Sequence, residues 1–408
     1  MGHIGIITEY NPFHNGHAYQ INQVKKLFPD KSIIICMSGD YVQRGEPAVF
    51  PMSLRTECAL SGGADLILEL PSIYSSASSE LFATAGVLTL AHTGLVDTLC
   101  FGAECDNIEA LTSLADFFIN ESENYKALLK DNLSKGQAFP KARANATATC
   151  LEDTTILDIL HRPNNILAIE YIKAIIKYNL PIKPLVIKRT SDNYDSISLL
   201  HEHCSSSALR NILYTNDNIS QLNEYMPEAA YNTLKASSLS KPVFFDDYYS
   251  FIEYKLLTEG SMLSDYYEMS EELANRINNI SILPGSLNEL IDMLSGKQIT
   301  NSRIRRALIN IVLGRKKEQI SKITKQSPIK YIRILGVKQD STSLIKEMKS
   351  KCELPIINKV AYCNKKLSKD ELELFNIDVF ENNLYRQVFY NKYGIIIPTD
   401  YEQSVIIR

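Results

Sequence analysis

The first half of the chain alternates short apolar runs, rich in β-branched residues, with longer segments whose apolar residues recur at helical spacing. The short runs predict five strands, at residues 3–9, 32–37, 65–70, 96–101 and 182–187. The longer segments predict helices at residues 14–28, 53–60, 78–92 and 163–178, with a helical insertion over about 107–160. Apolar strands that alternate with helices are typical of a parallel sheet covered on both faces. We therefore predict an α/β domain with a parallel sheet over residues 1–215.

The second half of the chain has a different pattern. Beyond about residue 212 the periodicity is mainly helical, and prolines separate the segments. From about residue 328, strand-like runs at 331–337 and 355–362 alternate with helices. This pattern predicts a mainly helical region over residues 216–408 that ends in a small α+β part.

The composition is that of a globular protein with a sizeable core. The 408 residues are 45% hydrophobic and 22% charged, which favours two or three domains. No apolar run reaches the roughly 18 residues that span a bilayer, and the first residues lack the features of a secretory signal. We therefore expect a cytoplasmic protein with no membrane partner. The eight cysteines show no paired spacing, and the cluster at residues 201–204 has no second cluster to complete a zinc site, so no metal site is predicted.

The formal net charge of −4 conceals an uneven distribution along the chain. Residues 297–333 contain eleven cationic residues and one acid, so this segment carries +10 and the remainder sums to −14. A local excess of one sign indicates a polyanionic partner, and RNA is the candidate. The cations are Lys297, Arg303, Arg305, Arg306, Arg315, Lys316, Lys317, Lys322, Lys325, Lys330 and Arg333.

A histidine motif follows the first predicted strand. His14, Asn15, Gly16 and His17 stand at the start of a predicted helix. The carboxyl end of a parallel strand is where such sheets bind ligands, and a helix N-terminus offers free N–H groups to phosphate. Gly16 would let a nucleotide approach the backbone. His14 and His17 share one helical face, so both can donate to one phosphate group as negative charge develops. The alternative is a helix start without a ligand.

A serine-rich helix start follows the fifth predicted strand. Ser205, Ser206 and Ser207 precede Arg210 by one turn. Serines at an N-cap leave amides and hydroxyls available for phosphate, and the arginine adds a cation. Alone, the same pattern is also an ordinary helix cap. In combination with the histidines it predicts a phosphate-binding element.

Both elements resemble signatures of the nucleotidyltransferase superfamily, which includes class I aminoacyl-tRNA synthetases and adenylyltransferases. His14 to His17 resembles the HxGH motif, and Cys204 to Arg210 resembles the later ISSTxIR-like segment. The resemblance implies a Rossmann-like parallel sheet and attack on the α-phosphate of ATP, with release of pyrophosphate.

A more extensive resemblance is to the tRNA(Met) cytidine acetate ligase family. The matching segments occur in the same order along the chain, at residues 9–17, 37–48, 63–71, 101–104 and 163–167. Several long motifs are more specific than HxGH alone. After about residue 215 the resemblance reduces to general character and to a helix start at residues 300–306.

This resemblance implies an ATP-dependent ligase that condenses acetate with ATP to acetyl-adenylate. The acetyl group then passes to the exocyclic amine of the wobble cytidine of elongator tRNA(Met), forming N4-acetylcytidine. Mg²⁺ is expected to bridge the departing pyrophosphate oxygens. His14 and His17 are the expected catalytic residues. The expected ATP-binding residues are Ile7, Thr8, Glu9, Tyr10, Asn11, Pro12, Phe13, His14, Asn15, Gly16, His17, Ala18, Tyr19, Gln20, Gly102, Asn164, Arg189, Ser205, Ser206 and Arg210. The basic segment supplies the expected tRNA-binding residues Arg303, Arg305, Arg306, Arg315, Lys316 and Lys317.

Two other functions use the same motifs. A small-molecule adenylyltransferase would share the histidines and the serine-rich helix start but would not need the basic segment. A non-catalytic RNA-binding protein with a relict nucleotide site would bind tRNA without turning over ATP. The loop at residues 43–45 is open to two interpretations, as a lid or RNA-facing element or as a solvated surface loop.

Overall fold

A computed structural model shows how these elements assemble, and it describes residues 2–189, 204–216, 218–325 and 328–408. The strands are β1 (His3–Thr8), β2 (Ile33–Ser38), β3 (Tyr41–Val42), β4 (Glu46–Pro47), β5 (Leu66–Leu70), β6 (Val96–Ala103), β7 (Lys183–Lys188), β8 (Ile332–Val337), β9 (Ile356–Ile357) and β10 (Ile406–Ile407). The predicted cluster at residues 201–204 lies largely outside the described residues, because the structure describes only Cys204 of it.

One large sheet has the strand order β10–β8–β5–β2–β1–β6–β7, and β9 also pairs with β8. From β5 to β7 all neighbouring strands are parallel, with β1 between β2 and β6. The five predicted strands form this parallel part, so the prediction of an α/β fold with a Rossmann-like parallel sheet is confirmed. Strands β3 and β4 form a separate antiparallel hairpin after β2.

The C-terminal part of the chain extends the same sheet. Strand β8 confirms the predicted run at residues 331–337, but it lies antiparallel to β5, which the sequence did not predict. Every residue of β8 is buried, so the strand covers what would otherwise be an open edge. The predicted run at residues 355–362 is wrong for most of its length, because β9 is two residues long and a 3₁₀ turn follows at Val360–Tyr362. The division into regions at residue 215 stays a prediction.

The described helices cover both faces of the sheet and form the second region. They are α1 (Asn15–Leu27), α2 (Met52–Ser61), α3 (Ser72–Ser75), α4 (Ser79–His92), α5 (Ile108–Ile119), α6 (Glu123–Ser134), α7 (Phe139–Leu151), α8 (Ile156–Leu160), α9 (Pro163–Lys177), α10 (Ser206–Asn216), α11 (Glu228–Ala236), α12 (Tyr249–Glu259), α13 (Glu271–Asn278), α14 (Leu287–Leu294), α15 (Asn301–Val312), α16 (Lys317–Lys325), α17 (Ser343–Lys351), α18 (Cys363–Lys366) and α19 (Lys369–Tyr393). Within the described ranges, none of them is long and apolar enough to cross a membrane.

Side chains of successive strand residues enter different cores. Ile7 and Ile34 pack with α4 and α9 on one face, whereas Ile6 and Ile35 pack with α1 and α2 on the other. A third core joins α12 to α15 with the C-terminal half of α19. Because β1 is covered on both faces, its carboxyl end is the part that can meet a ligand.

Buried ion pairs hold the C-terminal part against the sheet. Arg333 on β8 is 4% exposed, and its guanidinium contacts Glu69 of β5 at 2.9 Å and Asp400 at 2.5 Å. Asp400 also accepts from Arg386 of α19 at 2.6 Å. Arg333 belongs to the basic segment by sequence, but its charge is neutralised inside the protein.

Candidate active site

A cleft lies at the carboxyl ends of β1, β6 and β7, beside the starts of α1, α9 and α10, and has a volume of about 260 Å³. An adjoining cavity of about 50 Å³ is lined in part by Gly16 and Tyr19. The cleft-lining residues that the sequence predicted are Ile7, Thr8, Glu9, Tyr10, Asn11, His14, His17, Gln20, Gly102, Asn164, Arg189, Ser205, Ser206 and Arg210. Segments as far apart in the chain as Ile7 and Arg210 therefore meet at one end of the sheet, where parallel sheets bind ligands.

Four residues of the predicted ATP loop line neither cavity: Pro12, Phe13, Asn15 and Ala18. Phe13 is 1% exposed and Ala18 is 9% exposed, and both belong to the apolar core below the loop. The Asn15 carboxamide donates to the carbonyl oxygen of Glu224 at 3.1 Å. These packing contacts show that Phe13, Asn15 and Ala18 support the loop, and the contact of all four residues with ATP stays a prediction.

The two motif histidines are held in one tautomer by backbone hydrogen bonds. The Gly16 N–H donates to His14 Nδ1 at 3.0 Å, and the His14 N–H donates to His17 Nδ1 at 3.2 Å. Each neutral ring therefore carries its proton on Nε2. The rings stack with their centroids 3.7 Å apart. Two Nε2–H donors are thus fixed side by side in the wall of the cleft.

The structure gives a steric reason for the glycine at position 16 that the sequence did not reveal. A Cβ atom at this position would lie 2.9 Å from Cε1 of His14. The glycine therefore makes room for the ring that caps its own helix. The other predicted reason for a glycine here, close approach of a nucleotide to the backbone, stays a prediction.

The surroundings of His17 favour its neutral form. Burial in the cleft wall lowers the pKa of His17 well below its ordinary value, and His14 and Arg189 lower that pKa further. The Tyr10 ring meets the His17 ring edge-on at 4.7 Å between centroids. At neutral pH, His17 is therefore a hydrogen-bond donor in a fixed position and carries no charge.

The start of α10 is linked to the histidine loop. Arg210 Nη1 donates to the carbonyl oxygen of Asn11 at 2.8 Å, and its Nη2 donates to Ser207 Oγ at 3.2 Å. Ser205 Oγ caps the helix by accepting from the Ala208 N–H at 3.2 Å. The arginine is thereby held over the cleft together with the free amides of the first helical turn.

The other side of the cleft is formed by β6, β7 and α9. Asn164 Nδ2 donates to Glu104 Oε1 at 2.6 Å, so this amide is already committed to a neighbour and its carbonyl oxygen is the group left to face a ligand. Arg189 follows β7, and its N–H donates to the carbonyl oxygen of Ala103 at 2.9 Å. A Cβ at Gly102 would lie 3.4 Å from Cγ of Arg189. Gly102 and Arg189 therefore lie side by side in the cleft wall.

Several residues of the cleft were missed from the sequence. The apolar part of the wall includes Phe82 from α4, Phe101 from β6 and Tyr171 from α9, and the start of β4 adds Glu46. In the sequence the aromatic residues look like ordinary core positions of helices and strands. Only their place near element ends could have indicated a ligand cavity.

The loop at residues 43–45 is part of the cleft and also touches the basic helix α15. The backbone N–H of Gln43 donates to Glu9 Oε1 at 2.8 Å. Glu46 Oε1 pairs with Arg305 Nη1 of α15 at 2.8 Å. The structure therefore favours an ordered element between the cleft and the basic helix over a solvated surface loop.

Gly45 is required at the contact between this loop and α15. Its φ of +76° is in the left-handed region, and a Cβ atom would lie 2.5 Å from both N and Cα of Arg306. We expect Gly45→Ala to lower the free energy of unfolding by more than about 1 kcal/mol, as chemical denaturation would measure. The matched control is Gly285→Ala, because no atom lies within 4 Å of a Cβ built there. Equal stability of the two variants would contradict this packing.

The structure divides the basic segment into exposed and neutralised cations. Arg303 and Lys317 are exposed. Arg306 pairs with Glu268 at 2.7 Å, and Lys316 lies 3.4 Å from the centroid of the Tyr266 ring. The net charge of +10 overstates the positive surface, because acids from distant parts of the chain pair with the segment.

Arg315 does not belong to that surface. It is 2% exposed, and its guanidinium makes two hydrogen bonds to Glu381 of α19, at 2.6 and 2.7 Å. It also donates to Ser76 Oγ at 2.7 Å. Burial and pairing with Glu381 argue against the predicted contact of Arg315 with tRNA, which stays a prediction.

In the described part of the chain, no three His, Cys, Asp or Glu side chains converge to form a metal site. A nucleotide-bound Mg²⁺ usually has waters, substrate phosphates and one or two carboxylates as ligands, so it does not need such a cluster. The predicted Mg²⁺ stays a prediction.

Comparison with known proteins gives matches over the entire chain. Residues 1–395 match the HIGH Nucleotidyl Transferase family. A Clostridium perfringens protein named tRNA(Met) cytidine acetate ligase is 36% identical over 415 residues, covering 100% of both chains. A protein of the same name from Caldanaerobacter subterraneus is 35% identical over 96% of each chain. The crystal structure of Thermotoga maritima TmcAL bound with alpha-thio ATP has a TM-score of 0.90 and 28% identity, covering 100% of this chain and 99% of the other.

Proposed function

Because the chain belongs to the tRNA(Met) cytidine acetate ligase family of HIGH nucleotidyltransferases, we propose that it uses ATP to activate acetate as acetyl-adenylate and then acetylates a tRNA cytidine. The acceptor would be the exocyclic amine of the wobble cytidine of elongator tRNA(Met). The products would be AMP, pyrophosphate and N4-acetylcytidine.

The chemistry explains why ATP is needed. A carboxylate does not react with an amine, and the exocyclic amine of cytosine is a weak nucleophile because its lone pair is delocalised into the ring. Joining acetate to AMP creates an anhydride with a good leaving group. Formation of that anhydride depends mainly on positioning and on stabilisation of phosphate charge. The protein therefore needs fixed donors and cations and does not need a covalent nucleophile.

The observation that carries the proposal is the pair of Nε2–H donors on His14 and His17, fixed by Nδ1 bonds in a cleft that also contains Arg189 and Arg210. In the proposed reaction both histidines donate to the phosphates as negative charge develops. Ser205 and Arg210 would bind the departing pyrophosphate end. The Thermotoga relative that carries alpha-thio ATP has the same fold over the same length, which supports an ATP site in this chain.

The proposed RNA surface differs from the one predicted by sequence. It contains the exposed Arg303 and Lys317, with Arg305, Arg306 and Lys316 beside them as partly neutralised cations. Such cations suit the phosphate backbone, while the target base lies in a loop from which it can be splayed out. The loop at residues 43–46 then connects the RNA surface with the cleft.

Reversal of one exposed charge tests the RNA surface. We expect Arg303→Glu to weaken tRNA binding and to reduce the slope of log K against log salt by about one, because one phosphate contact is lost. Filter binding or fluorescence anisotropy at several salt concentrations would measure both the tRNA affinity and this slope. Lys130→Glu, an exposed reversal on α6, is the matched control. Equal losses in both variants would argue against a specific surface at α15.

The decisive experiment for the function has two parts. The first measures exchange of labelled pyrophosphate into ATP with acetate, and then with longer carboxylates. The second analyses nucleosides of tRNA after a complete reaction. Acetate-dependent exchange together with N4-acetylcytidine is the expected result. Exchange that ignores acetate would favour a small-molecule adenylyltransferase, and tRNA binding without exchange would favour a non-catalytic RNA-binding protein.

A further inference from the structure

Glu9 occupies an unusual position in the cleft. It follows β1 directly and lines the cavity together with His14 and His17. Its Oε1 accepts from the Gln43 N–H at 2.8 Å, and its carbonyl oxygen accepts from Arg55 Nη1 at 2.5 Å. Both the backbone and the carboxylate of this residue are therefore fixed. Within the described ranges, Oε2 accepts no hydrogen bond.

The Glu9 carboxylate lies in a cleft whose other side chains include cations and donors that can bind phosphate. The other titratable side chains that line the cleft are those of Tyr10, His14, His17, Arg44, Glu46, Tyr171, Arg189 and Arg210. Glu46 is paired with Arg305, whereas Glu9 forms no ion pair with any described residue. Two like charges 4 Å apart repel by about 4 kcal/mol at an effective dielectric constant of 20. Glu9 is therefore ill suited to bind ATP phosphates directly, although the sequence resemblance placed it in the ATP loop.

The contacts of Glu9 lead to the proposed RNA surface. Gln43, which holds the carboxylate, belongs to the loop that packs on α15 through Gly45 and Glu46. In the sheet, β1 lies between β2 and β6, and the loop follows β2. Gly102, within β6, and Arg189, after β7, lie on the other side of β1. Glu9 thus shares the cleft with the histidines and is bonded to the loop that packs on the proposed RNA surface.

We propose that Glu9 is the general base of acetyl transfer, an inference that rests on the proposed function. Its carboxylate accepts a hydrogen bond from the exocyclic amine of the acceptor cytidine, as glutamate does when it reads this group in nucleic acids. The amine nitrogen forms a bond to the acetyl carbonyl carbon, and the bond from that carbon to the phosphate oxygen breaks. AMP leaves with the electron pair, and one amine proton passes to Glu9 and from there to water.

Separate measurement of the two half-reactions tests this role. In Glu9→Gln we expect single-turnover acetyl transfer to tRNA to fall by about 10²-fold or more, because a general base contributes about 10²- to 10⁴-fold. Acetate-dependent pyrophosphate exchange should fall by less than about tenfold. Hydroxylamine, a strong nucleophile, should still capture the acetyl group from acetyl-adenylate.

Two further variants keep the test decisive. Glu9→Asp retains a carboxylate, so its transfer should exceed that of Glu9→Gln, and it tests the role even if Glu9→Gln folds poorly. Glu46→Gln, the matched control, removes a cleft carboxylate that already has a cation partner, and its ratio of transfer to exchange should fall far less than that of Glu9→Gln. Parallel loss of exchange and transfer in Glu9→Gln, or transfer as fast as in the wild type, would overturn the proposal. Absence of acetate-dependent exchange in the wild type would instead contradict the proposed function itself.

Discussion

Replacement of His17 by alanine should lower acetate-dependent pyrophosphate exchange by about 10²- to 10³-fold. The magnitude follows from the loss of one preorganised donor to developing phosphate charge. His17 is suited to this role because its Nδ1 accepts from the His14 N–H at 3.2 Å, which leaves Nε2–H for the ligand. Its pKa is held well below the ordinary value by burial and by the neighbouring His14 and Arg189, so protonation of His17 should not shape the rate near neutral pH. Exchange kinetics at saturating ATP and acetate would measure the loss.

The controls separate catalysis from folding. His14→Ala should have an effect of similar size, and the double variant should lose less than the product of the two, because the stacked rings act on one group. His92→Ala changes a histidine at the end of α4, away from the cleft, and should leave exchange unchanged. Full exchange in a folded His17→Ala variant would remove the histidines from the proposed mechanism.

The parallel part of the sheet was predictable because each strand is an apolar run with helical segments on both sides. All six residues of β2 and all five of β5 are buried, so their sequences are apolar nearly throughout and stand out. Strand β8 is equally buried, and its position as a strand was also predicted. Its antiparallel pairing with β5 was not, because that pairing joins segments more than 260 positions apart, and local periodicity carries no information on partners.

The candidate site shows the same limit, because contacts between distant parts of the chain cannot be read from local sequence. The histidines were predicted because the chemistry lies in a local motif at a strand end, and the backbone bonds that fix their rings lie within three residues. The cations of residues 297–333 were counted as one surface because sequence shows their charge and hides their partners. Glu381 and Glu69, which neutralise Arg315 and Arg333, lie far away in the chain. A charge excess along the sequence therefore predicts a basic surface only where folding leaves the cations exposed.

Arg315 provides the second test with a large expected effect, on stability and not on RNA binding. We expect Arg315→Met to lower the free energy of unfolding by about 3–5 kcal/mol, because it leaves the carboxylate of Glu381 buried without its cation. Glu381 is fully buried, so solvent cannot replace the lost partner. Urea denaturation would measure the loss. The double variant Arg315→Met with Glu381→Gln should recover part of it, because the uncompensated charge is gone.

The neighbouring Lys317 is the matched control, since it is exposed two positions further along the chain. Lys317→Met should change the free energy of unfolding by less than about 0.5 kcal/mol and should weaken tRNA binding, whereas folded Arg315→Met should bind tRNA with the affinity of the wild type. The opposite pattern would mean that Arg315 reaches RNA after all, which would require α19 to move away and release its ion pair with Glu381. The two variants therefore distinguish a structural cation from a binding cation within one basic segment.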